Sequence, residues 1–224
     1  GGVGGTTGGS GGSMTCAGPS GQLDAIYVST TGSDSGTGSG SSPFRTIGHA
    51  ASVANAGDIV LVNGGTYVEE SITPAQSGTA TARITFKPNP GTGEVTIRHP
   101  ASSMSDTPVF LLNGRSHVWI EGLSFAGFAH GMASIVINRG GDNVVINNRF
   151  ENLGNQDVES WDENSVIWAY QTVRNVIRNN YFHAVYGDGV SLNGQGTEHN
   201  LVTENTFTEF SGKYRNWGGS HTFS

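Results

Sequence analysis

The side chains able to do chemistry crowd toward the C-terminal half of the chain. Residues 154–161 read GNQDVESW and run on into Asp162 and Glu163. Farther along, Asp188 sits in GDGV, and Lys213 and Arg215 in GKYRNW. Carboxylate oxygens are hard ligands, so Asp162, Glu163 and Asp188 together could hold a calcium ion. A basic side chain beside such a cation can take a proton from an acidified carbon; Lys213 is the first candidate by position and Arg215 the second. An aspartate beside a lysine raises the lysine pKa, which opposes that role unless a cation occupies the carboxylate. Trp161, Trp168, Tyr186 and Trp217 offer flat apolar rings for a planar ligand such as a sugar, with His183 completing the ligand-contact set. Plainer readings stand beside these. The acidic run also reads as a solvated surface insertion, Asp188 before Gly189 as a turn residue, and His183 as an outward surface histidine. His117, His130, His199 and His221 lack the spacing of zinc ligands, which excludes a zinc site. No nucleophile-elbow, Walker or dinucleotide-binding fingerprint occurs.

An internal repeat must position these groups. VWIEGLSF ends at Phe125, NVVINNRF at Phe150, NVIRNNYF at Phe182 and NLVTENTF at Phe207, at intervals of 25, 32 and 25 residues. Self-similarity at that period marks a solenoid, because one repeat is too short to bury its own core. β-Branched residues and Asn/Gly turns, with no helical period, make it a parallel β-helix. Stacked coils then align like residues. Phe125, Phe150, Phe182 and Phe207 form an inward aromatic column. Asn148, Asn180 and Asn205 form a ladder at a corner, where asparagine tolerates the left-handed conformation. The long interval accommodates the acidic insertion. Counting six residues past each phenylalanine, and allowing for the insertion, puts Gly131, Asn164, Asp188 and Lys213 in one column.

The front of the chain supplies a start for the stack. Residues 1–22 read as a Gly/Ser-rich flexible tether and 23–224 as the folded domain. Residues 43–56 form the one plausible helix, with Ile47, Ala50, Ala51 and Ala54 on one face, positioned to cap the apolar end of the solenoid. Coils run from about residue 58, with strands expected at 58–63, 83–87, 94–98 and 109–112 and a turn at GGTY. The single cysteine, Cys16, has no intrachain partner. Lys and Arg number 11 against 18 Asp and Glu, a formal charge of −7, which argues against nucleic acid or an anionic membrane as partner. No apolar run is long enough to span a bilayer.

The run from Tyr27 to Tyr67 carries YVS-x-x-GSD, SPF-x-TI, A-x-A-GD-x-V and GGTY. It resembles the N-terminal segment of secreted right-handed parallel β-helix proteins of the pectate-lyase-like group, which includes the family 9 polysaccharide lyases. With the coils, the resemblance covers about residues 26–210. It implies an all-β, right-handed solenoid, an acidic uronate-containing polysaccharide as partner, β-elimination, calcium bound by aspartates and a lysine base. The family's dense aspartate cluster is not matched residue for residue. Two alternatives stay open: a non-catalytic glycan-binding or adhesin-like surface β-helix, and a hydrolase or epimerase using paired carboxylates such as Glu163 and Asp188. The expected location is secreted or cell-surface. The last coil reaches the end of the sequence without a capping pattern, so a C-terminally truncated β-helix is expected, monomeric in its full-length form.

Overall fold

The computed structural model describes residues 25–100, 107–128, 133–154 and 165–209. The tether, Cys16, Gly131, Trp161, Asp162, Glu163, Asn164, Lys213, Arg215 and Trp217 lie outside the described residues. The chain begins with β1 (Ala25–Val28) and α1 (Ile47–Val53), then winds in coils. β2 (Ile59–Val62) and β3 (Gly65–Val68) make the first coil, and β4 (Ile84–Pro88), β5 (Val95–Arg98) and β6 (Phe110–Asn113) the next. β7 (Val118–Glu121), β8 (Ser124–Phe128) and β9 (Ile135–Asn138) follow, then β10 (Val144–Ile146), β11 (Arg149–Leu153) and β12 (Ser165–Tyr170). β13 (Val176–Arg178), β14 (Tyr181–Val185) and β15 (Asp188–Asn193) lead to β16 (Leu201–Thr203) and β17 (Thr206–Thr208).

Every strand pairs in parallel with its counterpart one coil away. Sheet A runs β1-β2-β4-β7-β10-β13-β16, sheet B runs β17-β14-β11-β8-β5-β3, and sheet C runs β15-β12-β9-β6. This is a parallel β-helix, and its core is the inward row of each strand. The aromatic column forms as expected. Phe125, Phe150, Phe182 and Phe207 stack at 4.9, 4.8 and 4.7 Å, matching the distance between neighbouring strands. Phe86 and Phe110 extend it with edge-on contacts.

The Asn148–Asn180–Asn205 ladder also forms. Backbone N–H and side-chain Nδ2 of Asn148 both donate to Asn180 Oδ1, and those of Asn180 to Asn205 Oδ1. A second ladder, Asn143–Asn175–Asn200, stands at the preceding corner. One expectation is corrected. The left-handed residues are not the ladder asparagines but the residues just before them. Gly122, Asn147, Asn179 and Glu204 have φ of 68°, 58°, 52° and 57°, and His117, Asp142, Arg174 and His199 take the same conformation at the other corner. The ladder side chain is thereby turned inward, under the corner it holds.

The helix is shorter than the sequence pattern. α1 begins after Thr46, because one carboxylate holds the preceding backbone extended and a second caps the first N–H groups of the helix. Asp34 accepts from Arg45 N, Thr46 N and Thr46 Oγ1, while Glu69 accepts from Ile47 N and Gly48 N. Ile47, Ala50, Ala51 and Ala54 are buried as expected, and the helix packs on β1 and β2 at the N-terminal end of the stack. The GGTY turn is also corrected. Only Gly64 turns the chain, and β3 starts at Gly65. A Cβ on Gly64 would lie 2.2 Å from the Thr92 carbonyl, so glycine is required there.

Candidate functional site: the outer face of sheet C

Of the expected site residues, Asp188, His183, Tyr186 and Trp168 are among the described residues. Of the calcium set, only Asp188 is described. It opens β15 and pairs with Ser165, not with Asn164 as the sequence alignment had it. The reason is the core. β12 must stack Ile167 and Ala169 on Val190 and Leu192, whereas the expected register would have set Ile167 on Ser191 and turned the inward row outward. Asp188 therefore shares the parity of Val190 and Leu192. Among the described residues no group of three His, Cys, Asp or Glu side chains gathers as metal ligands.

His183 lies elsewhere, on the outer face of sheet B, with Nδ1 3.1 Å from Thr208 Oγ1 and Nε2 3.7 Å from Glu209. Tyr186 occupies the turn between β14 and β15, its N–H donating to the Leu153 carbonyl. Trp168, also among the expected ligand contacts, lies in β12. It projects from the outer face of sheet C, partly exposed, and its Nε1–H donates to Asn193 Oδ1 at 2.5 Å.

Around Trp168 the structure gathers residues the sequence reading had missed. Tyr170 lies two positions on, on the same face, its ring 5.5 Å from Trp168. Asn113, Asn138, Tyr170 and Asn193 fall in one column across four strands. Asn138 Nδ2 donates to Asn113 Oδ1 at 3.2 Å. Asn138 Oδ1 is buried and has no hydrogen-bond partner among the described residues, which leaves an acceptor unsatisfied. In the adjoining column Arg139 is held by a neutral group, its Nε donating to Gln171 Oε1 at 3.2 Å. A signal was present in the sequence: FLLN, IVIN and VSLN each close a sheet C strand with asparagine.

The face thus offers two adjacent aromatic rings, a row of carboxamides and a guanidinium at its edge. Aromatic faces meet the apolar faces of sugar rings, and carboxamides donate to and accept from hydroxyls.

Residues 26–167 match the family described as Pel9A-like, right handed beta helix region. The chain is 36% identical over 112 residues to Uncharacterized protein YwoF of Bacillus subtilis (strain 168), covering 49% of this chain and 24% of that protein. Among solved structures it is similar to a rhamnogalacturonan lyase (16% identity, TM-score 0.44, 84% of this chain and 62% of that one). It is also similar to XylC in complex with xylose (12% identity, TM-score 0.45, 83% and 64%). A third is the GH136 lacto-N-biosidase from Eubacterium ramulus (13% identity, TM-score 0.44, 74% and 42%). The chain spans about a quarter of the curated relative and under two thirds of each of these structures. With the family matched over more than half of its length, the chain belongs to the Pel9A-like right-handed β-helix family.

Proposed function

We propose that this protein binds an acidic, uronate-containing polysaccharide along the outer face of sheet C, and that its activity is β-elimination on that polymer. The observation that carries the binding reading is the Trp168–Tyr170 pair, set beside Asn113, Asn138 and Asn193 in the Tyr170 column. Arg139 supplies the local positive charge that a chain of net charge −7 needs to hold an anionic polymer. Membership of a Pel9A-like family supports elimination as the reaction. Lys213 and Arg215 remain the proposed bases, and Asp162, Glu163 and Asp188 the proposed calcium ligands. A polymer substrate implies a secreted or cell-surface protein.

The test pairs binding with product formation. Trp168→Ala is expected to weaken binding of uronate oligomers about tenfold, a loss of about 1.4 kcal/mol for one stacked ring, with the fold intact by circular dichroism. Ultraviolet absorbance of unsaturated uronate products, with calcium and with chelator, reads the reaction. Wild-type affinity in Trp168→Ala would remove the sheet C site. Binding without product on pectate, alginate or glycosaminoglycans would favour the adhesin-like alternative.

A further inference from the structure

The outer face of sheet B carries a different constellation. The residues flanking the stacked phenylalanines point out of the solenoid. Ser124, Arg149, Tyr181 and Thr206 form one column, and Ala126, Glu151, His183 and Thr208 the next. The Arg149 guanidinium lies 4.7 Å from the Tyr181 ring centroid and forms an ion pair with Glu151. The hydrogen bond with Glu151 raises the Arg149 pKa, with the charges of Glu151, Tyr181 and Glu94 adding. The Tyr181 and His183 rings lie nearly parallel, 6.0 Å apart.

Two contacts join these rings through a hydroxyl on the next coil. His183 Nδ1 is 3.1 Å from Thr208 Oγ1, and Thr208 Oγ1 donates to Tyr181 Oη at 3.1 Å. The other acceptor within reach of that hydroxyl is the Phe182 carbonyl, at 3.3 Å. When Nδ1–H is the donor to Thr208, Nε2 is the basic nitrogen. Tyr181 Oη, already accepting a proton, turns its own O–H outward. The charged groups facing His183 are Glu151 across the β11 pairing, Glu209 beyond β17, and Arg149 beside Tyr181.

We propose that this face is a second site, an acid–base site for a uronate sugar, in which Arg149 binds the carboxylate, His183 takes a proton and Tyr181 gives one. It rests on the reading that the ligand is an acidic polysaccharide. The step balances without a co-reactant. His183 Nε2 takes the C5 proton. The released electron pair forms the C4–C5 double bond, and the C4–O bond breaks. The departing oxygen takes the Tyr181 proton, Thr208 passes its proton to Tyr181, and His183 Nδ1 passes its proton to Thr208. His183 ends neutral in the other tautomer, and solvent resets it. His183 and Tyr181 are catalytic residues, whereas Thr208 is a positioning residue.

The test uses the full chain and a galacturonate trimer, with separate reporters for the two faces. The Trp168-dependent part of the tryptophan fluorescence reports sheet C, and the His183 imidazole nitrogen resonances report sheet B. Three results are expected. The trimer moves the His183 resonances, and Arg149→Gln weakens that response about tenfold. Thr208→Val shifts the unliganded His183 from the Nδ1–H toward the Nε2–H tautomer. In a Lys213→Ala, Arg215→Ala background, which removes the bases proposed for the first site, Tyr181→Phe lowers the remaining product formation about a hundredfold with KM nearly unchanged. A Trp168 response with silent His183 resonances overturns this site and leaves the sheet C reading standing. Silence at both reporters overturns both. A His183 response with no product from the Lys213→Ala, Arg215→Ala background, or with undiminished turnover when Tyr181→Phe is added to it, overturns the acid–base role.

Discussion

Each ladder asparagine satisfies several groups at once. Asn180 Oδ1 accepts from Asn148 N and Nδ2, while its own Nδ2 donates to the Val145 carbonyl and to Asn205. Asn180→Ala strands buried donors and an acceptor that water does not reach, at a cost of at least about 3 kcal/mol. Asn179, one residue earlier, is exposed and has φ of 52°. Asn179→Gly is expected to be near neutral, because glycine adopts that conformation without a Cβ clash. Urea denaturation of the two variants checks this contrast, and equal losses would mean that the ladder does not govern the corner. The sequence shows three asparagines in register but not which neighbour turns left-handed. That depends on the corner geometry, and Glu204 fills the left-handed role as readily as Asn147 does.

Among the elements, α1 depends on charge more than on its own length. Burial pushes the Asp34 pKa up, but hydrogen bonds from Thr46 N, Thr46 Oγ1 and Arg45 N outweigh it, so the carboxyl sits below its ordinary value. A depressed folded pKa means that the contribution is present above the unfolded value, about 3.9, and is lost as pH falls through the folded one. The stability difference between wild type and Asp34→Ala should therefore be constant near neutral pH and shrink with acidification below about pH 4, as thermal melts across a pH series would show. A difference independent of pH would assign the effect to packing. Glu69 has the opposite sign, since burial raises its pKa despite the Ile47 and Gly48 N–H groups. The sequence marks the helix by its Ile47–Ala54 face but misses where it starts, because the start is set by carboxylates distant in the chain. The register of β15 was missed for a related reason. Asp188 and Asn164 align by eye, while the pairing follows the Ile167–Val190 contact.

At the scale of the molecule, coils contact chiefly their neighbours, so stability accumulates coil by coil. Amide exchange should be slowest in β7, β8, β10, β11, β13 and β14, which have a paired strand on both sides, and faster in β16 and β17, where Leu201 is 52% exposed. Uniform protection along the stack would show instead that the solenoid opens as one unit. The Phe125–Phe207 spacing made this architecture legible, because a stacked core demands recurrence. The proposed ligand faces were harder to read, since they occupy the positions that recurrence leaves free. Trp168 was singled out by residue type alone. Tyr170, Asn138, Arg149 and Tyr181 became visible only when the coils aligned them.

The ladders also give the solenoid a polarity. In both, every side-chain oxygen accepts from the coil on its N-terminal side, beginning with donation by Val118 N and Leu123 N and ending, among the described residues, at Asn200 and Asn205. The side-chain oxygens of the corner seams therefore form one-way threads, each turned back along the axis, while the Nδ2 groups also reach carbonyls of the coil behind them. A coil spliced after Asn200 and Asn205 must bring an oxygen at each corner, and one spliced before Val118 must accommodate a donor. Two copies joined head to head would set like ends against each other, so chimeras of this fold should splice in a single direction.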